Sequence, residues 1–111
     1  MTLGVHRVTA LWVESEATAT SEFLGVPTSG KSTLEGLTVD GQLVAVTGEA
    51  NQTIHFPDGF LVINEQTGSS SPHFGTLTVN ALHLLVDGVG SIVAASATAE
   101  VINDPTPNVG P

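Results

Sequence analysis

Cysteine is absent from the chain, which excludes disulfides and thiolate metal sites. Basic side chains are nearly absent: Arg7 and Lys31 stand against eleven acidic residues, for a net charge of −9. Nucleic-acid binding needs a Lys/Arg footprint that neutralises phosphates, so that class of partner is excluded. Attraction to anionic membrane surfaces fails for the same reason. No apolar run approaches the roughly 18 residues that a membrane-spanning helix requires. The opening stretch MTLGVHRVTALWVESE lacks a basic region followed by an apolar core, so it does not read as a signal peptide. The roughly 3.6-residue apolar period of a helix never persists for three turns, and no helix is expected. Charged residues in total make up only 12% of the chain, and threonine, serine and glycine take their place.

What is present is strand pattern. With 41% apolar residues in 111, the chain can bury one modest core. Its longest patterned stretch, Gly75 to Ile102, reads GTLTVNALHLLVDGVGSIVAASATAEVI. Residues two apart in a strand share a face, so register can be tested by matching faces across a turn. A three-residue loop, Asp87 to Val89, pairs Leu85 with Ser91, His83 with Val93, Ala81 with Ala95, Val79 with Ala97 and Leu77 with Ala99. That face is almost wholly apolar. The other face pairs Leu84 with Ile92, Leu82 with Ala94, Asn80 with Ser96 and Thr78 with Thr98, apolar near the turn and polar beyond it. A two-residue loop would mix the faces. The expectation is a long hairpin with one buried face.

Residues 3 to 20 read as one long strand with Leu11, Val13, Ser15, Ala17 and Ala19 on one face. Its segment ESEATAT echoes AASATAE near the chain's end, and the two are expected to be neighbours in one sheet. Residues 21 to 32 read as a loop. Thr33 to Val39 and Gln42 to Thr47 flank Asp40-Gly41, a strong hairpin signal. Thr53 to Phe56 and Phe60 to Glu65 flank Pro57-Asp58-Gly59, which sets Phe56 opposite Phe60. Gln66 to Pro72 reads as a loop. About seven short strands joined by hairpins predict a single antiparallel β-sandwich over residues 1–103, or a flattened barrel, followed by a Pro/Gly-rich tail, 104–111. The expected core is Trp12, Phe56, Phe60, Val62, Leu77, Val79, Leu82, Leu85, Val93, Ala95 and Ala97.

Several of these pieces, GLTVDGQ, LVINEQ, TVNALH and SATAEV, fall in the order found in the choice-of-anchor P family of bacterial surface and secreted proteins, which residues 33 to 102 resemble. The resemblance implies an extracellular or cell-surface β-domain and carries no catalytic motif. Members of that family often hold a cysteine pair near the ends of the first and last strands. This chain has none, and so lacks a bond that would contribute ~2–4 kcal/mol.

Candidate chemistry is sparse. Gly25 to Ser32 fits the phosphate-loop pattern G-x-x-x-x-G-K-[ST], but such a loop must open a helix whose N-terminus faces the phosphates. Here Leu34 to Val39 follows, a strand, so the match is taken as chance. His6, His55, His73 and His83 are not spaced as a metal set, and His83 is expected to be a hydrogen-bonded core residue. Asp40, Asp58 and Asp87 all sit beside glycine in turns, where the side chain usually bonds nearby backbone. The alternative for them is a calcium site built from turns at one end of the sandwich. Asn64, Glu65 and Gln66 end an apolar strand, a polar trio able to hold sugar hydroxyls or to tie down the next loop. Neither cofactor nor catalytic set is expected. The reading is a non-enzymatic structural module, extracellular or on the cell surface, that associates through edge strands with copies of itself, as a homo-oligomer or filament, or with other surface-layer components. The alternative is a domain that binds a glycan.

Overall fold

The computed structural model describes residues 1–22 and 25–102, so the expected tail lies outside the described residues. The described chain is all strand and turn. Ten strands follow in order: β1 (Thr2–Leu3), β2 (His6–Thr9), β3 (Trp12–Ala19), β4 (Thr28–Glu35), β5 (Thr38–Val39), β6 (Gln42–Leu43), β7 (Gln52–Phe56), β8 (Gly59–Ser70), β9 (Phe74–Val86) and β10 (Gly90–Ile102). Every pairing is antiparallel. The large sheet has the order β10-β9-β8-β7, a small sheet runs β1-β2-β5-β6, and β3-β4 stands as a two-stranded ribbon. None of these sheets closes into a barrel among the described residues.

The large sheet forms one layer of a sandwich, and the two smaller units share the other. Val8, Leu37 and Val39 of the small-sheet side pack on Leu61, Ile63, Leu82, Leu84 and Val86 of the large sheet, the main core cluster. Further along, β3 packs on β9 and β10 while β4 packs on β8 and β9. The approach there is close, since a Cβ on Gly30 of β4 would lie 2.3 Å from Cγ2 of Val79 in β9. Such close packing of small residues lets the ribbon settle on the sheet.

The β9–β10 register agrees with the one expected from the sequence, from Gly90↔Val86 to Ile102↔Phe74. The faces do not continue as expected. Leu77, Val79 and Ala81 are buried, but beyond them the buried residues are Leu82, Leu84 and Val86. His83 and Leu85 therefore turn to the uncovered face. The same switch occurs at the same level in β10, where half-buried Ile92 and Ala94 give way to Ala97, Ala99 and Val101. It also occurs in β8, where Ile63 and Asn64 are both buried. At this level Asn64 and Ala95 both hold φ of +55°, one on each side of Ala81. A left-handed residue in a strand sets successive side chains on one side, as at a bulge. No residue is inserted, so the register resumes unchanged with Glu65↔Asn80 and Ser96↔Asn80.

This switch corrects the expected core. Leu77, Val79, Leu82 and Val62 are buried, and Phe56, Phe60, Leu85 and Ala97 are half-buried. Val93 is 44% exposed and Ala95 is exposed, because their parity leaves the covered face at the kink. Trp12, at 53% exposure, lies on the outward side of β3 with Glu14 and Glu16.

Other boundaries also shift. The expected first strand is three pieces, broken at Gly4 (φ +61°) and at Ala10-Leu11. The segment read as a loop to Ser32 enters β4 at Thr28, and Gly36 (φ +63°) separates β4 from β5. The loop expected from Gln66 is the end of β8, which runs to Ser70. Phe56 pairs with Gly59 rather than Phe60, which leaves a two-residue connection, Pro57-Asp58. ESEATAT and AASATAE belong to different sheets and meet face to face as β3 packs on β10.

Candidate functional site

Three polar clusters and one free strand edge stand out. The first cluster lies at the end of the sandwich where three hairpin turns meet. His6 begins β2 and shares its inward side with Val8, so its ring is carried into the interior and is 8% exposed. Asp40 enters from the β5–β6 turn and Asp58 from the β7–β8 turn. Nδ1 of His6 is 2.8 Å from Asp40 Oδ2, and Nε2 is 2.7 Å from Asp58 Oδ1. Phe56 stacks on the ring with centroids 4.2 Å apart and planes inclined by 18°. Two carboxylates on two ring nitrogens call for two ring protons. The hydrogen bond to Asp40 and then that to Asp58 raise the His6 pKa from its ordinary value, against the effect of burial. Asp40 is lowered, first by the backbone N–H of Arg7 and next by His6.

The second cluster sits between the layers at the kink. Asn64 is 3% exposed. Its Oδ1 accepts from Ser32 Oγ at 2.8 Å and from Gln66 Nε2 at 3.1 Å, and its Nδ2 donates to the Glu49 carbonyl at 3.2 Å. Gln66 Nε2 also donates to the Gly30 carbonyl at 3.0 Å. These amides fasten β4 and the segment before β7 to β8. The third cluster is on the uncovered face. Glu65 Oε1 accepts from Asn80 Nδ2 at 2.8 Å, and His83 Nδ1 lies 3.0 Å from both Glu65 oxygens. Burial pushes the Glu65 pKa up, but the bonds to Asn80 and His83 outweigh it, and the net shift is downward. Glu65 is thus an ionised carboxylate on a sheet face.

The polar trio read from the sequence is therefore divided. Asn64 and Gln66 turn inward and hold the layers together, while Glu65 faces the other way. His83 is hydrogen-bonded, on the uncovered rather than the covered face. Asp40 and Asp58 do converge at one end, though on a histidine, and Asp40 Oδ1 also accepts from the Arg7 N–H at 2.8 Å. His6 was not singled out from sequence. Its shared parity with Val8 was the available signal. Lys31 lies on β4, 71% exposed at its side chain, paired with Glu16 at 3.5 Å. Strand β4 pairs with β3 along its whole length, so nothing of a phosphate loop is formed. Among the described residues no three His, Cys, Asp or Glu converge as a metal set, and no helix is long and apolar enough to cross a membrane.

The longest free edge belongs to β10. This strand has 13 residues and ends the large sheet, so no described strand pairs with its outer side. It contains neither lysine nor proline, and its irregular residues are Gly90 at its start (φ +142°) and Ala95. In comparisons with known proteins, the chain matches no family model, no curated protein and no solved structure.

Proposed function

We propose that the chain is a non-enzymatic structural module of the cell surface or extracellular space, which associates with copies of itself along the outer edge of β10. The observation that carries this reading is the length of that unguarded edge. A row of unpaired N–H and C=O groups on a strand of 13 residues is a template for another strand. Natural monomers interrupt such edges with lysine, proline or bulges. Here the one interruption within the strand, past Gly90 at its start, is the left-handed Ala95. The likeness to choice-of-anchor domains supports the surface location.

A second reading rests on the uncovered face. Glu65, Asn80 and His83 lie beside the Thr67–Thr78–Thr98 row, a surface of carboxylate, amide, imidazole and hydroxyl groups suited to sugar hydroxyls. It would make the chain a glycan-binding domain.

Light scattering across a concentration series tests the first reading. Association that grows with concentration is expected. Proline placed separately at Ala97 and at Thr98 then locates the interface. N–H groups in an antiparallel strand alternate between partner and outside, so one variant loses a bond to β9 and the other only an outward donor. The second should fold and remain monomeric. A wild-type chain that stays monomeric at every accessible concentration sinks the association reading.

A further inference from the structure

We infer that His6 is a pH-operated latch: its doubly protonated ring fastens the β7–β8 turn of the large sheet to the small sheet, and loss of one ring proton releases that turn while Asp40 stays in place. The inference is independent of association along β10. It rests on an asymmetry between the two carboxylates. Asp40 belongs to the same sheet as His6 and is held without the ring's help. Its Oδ1 accepts from the Arg7 N–H at 2.8 Å, and its own N–H donates to the Arg7 carbonyl at 2.8 Å. Its Oδ2 therefore stays beside Nδ1 whatever the ring's charge. Asp58 comes from the opposite layer, and among the described residues His6 Nε2 is the only hydrogen-bond partner of its carboxylate.

A neutral imidazole carries one N–H. The preset Oδ2 of Asp40 keeps that proton on Nδ1. Nε2 then presents a lone pair to a carboxylate oxygen 2.7 Å away, and the contact becomes repulsive. Release is easy because the Asp58 side chain is already 42% exposed, against 10% for that of His6, so water takes over the freed carboxylate. The motion does not stop at Asp58. Its carbonyl accepts the N–H of Asp87 at 2.6 Å, which joins the β7–β8 turn to the β9–β10 turn.

Burial opposes the charge on the ring, and the carboxylates around it outweigh that cost. Asp40 and Asp58 face it, Phe56 covers one face without charge, and Asp87 lies in the turn bonded to Asp58. On its own strand Arg7 is exposed, and the Met1 ammonium is engaged by the Val8 carbonyl at 3.0 Å. With the folded pKa above the ordinary 6.5, the stabilisation is complete below pH 6.5 and disappears as pH rises through the folded pKa. The latch is closed in mildly acidic solution and opens on the alkaline side.

The test combines nitrogen NMR of the ring with amide hydrogen exchange, from about pH 5 to about pH 9, the range in which histidine switches. Both ring nitrogens should be protonated at the acidic end. As the ring loses its proton, the protection factor of the Asp87 N–H should fall roughly tenfold or more, the size of a lost charge-assisted bond. Protection of the Asp40 N–H should persist. In Asp58→Asn the amide can accept from Nε2–H or donate to a bare Nε2, so Asp87 protection should no longer follow the ring's titration. Any of four results overturns the latch. These are Asp87 protection that ignores the titration, Asp40 opening together with Asp87, an Asp58→Asn variant that keeps the step, and a ring with one proton throughout.

Discussion

Replacing Ala95 with glycine should stabilise the protein, although glycine normally weakens a strand. Ala95 holds φ of +55° in the middle of β10. An L-residue with a Cβ is strained there by about 1–2 kcal/mol. Glycine removes that strain and costs about 0.5–1 kcal/mol through the greater freedom of the unfolded chain. The Ala95 side chain is exposed, so no buried methyl is lost. The balance is a gain of about 0.5–1 kcal/mol, or about 2–6 °C in Tm for a domain of this size. Ala97→Gly is the control, two residues along the same strand. Its backbone is ordinary and its methyl half-buried, so the change should cost about 1 kcal/mol. The two substitutions, chemically identical, should therefore differ in sign. Urea unfolding followed by far-ultraviolet circular dichroism is the suitable assay, since the single tryptophan, Trp12, is 53% exposed in the folded state and reports poorly on burial. An Ala95→Gly variant as destabilised as Ala97→Gly would refute the left-handed kink, and with it the switch of faces.

Gly75→Ala should cost roughly 1–3 kcal/mol by overpacking, because the new Cβ would meet Cγ1 of Val26 at 2.4 Å and its Cβ at 2.8 Å. Combining it with Val26→Ala should recover part of that cost, and strictly additive losses would mean that the segment before β4 does not pack on β9 at Gly75 as described. Addition of ATP and magnesium should leave thermal unfolding unmoved, since ligand binding raises stability only through a site that exists in the folded state. A rise that disappears in Lys31→Ala would restore the phosphate-loop reading. Asn80→Ala should raise the Glu65 pKa, read from its carboxyl carbon shift, because burial would then be opposed by one hydrogen bond fewer. An unchanged value would place Glu65 elsewhere.

Much of this architecture was legible along the chain. Alternation, β-branched residues and Asp-Gly pairs are local signals, and they sufficed for an antiparallel all-β fold and for the register of the β9–β10 hairpin. Even the kink left a trace. In both strands the apolar residues change parity at the level of Ala81 and Ala95, which was read as one face turning polar. The absence of cysteine and the shortage of basic residues likewise follow from composition alone.

Tertiary structure decided which face of each strand was covered and what the polar residues met. Asn64 and Ala95 take up left-handed backbone at the level where the cover on the large sheet passes from the small sheet to the β3-β4 ribbon. No window of sequence records that change of cover. It also decided that Asn64, Glu65 and Gln66, adjacent in sequence, divide between two faces. His6, Asp40 and Asp58 lie 34 and 52 positions apart from one another when counted from His6, yet they meet because three hairpin turns end at the same end of the sandwich. Side-chain period records only which residues share a side. The partner across the layer is chosen by packing, and it is that choice which turned two turn aspartates and a strand histidine into a charged cluster.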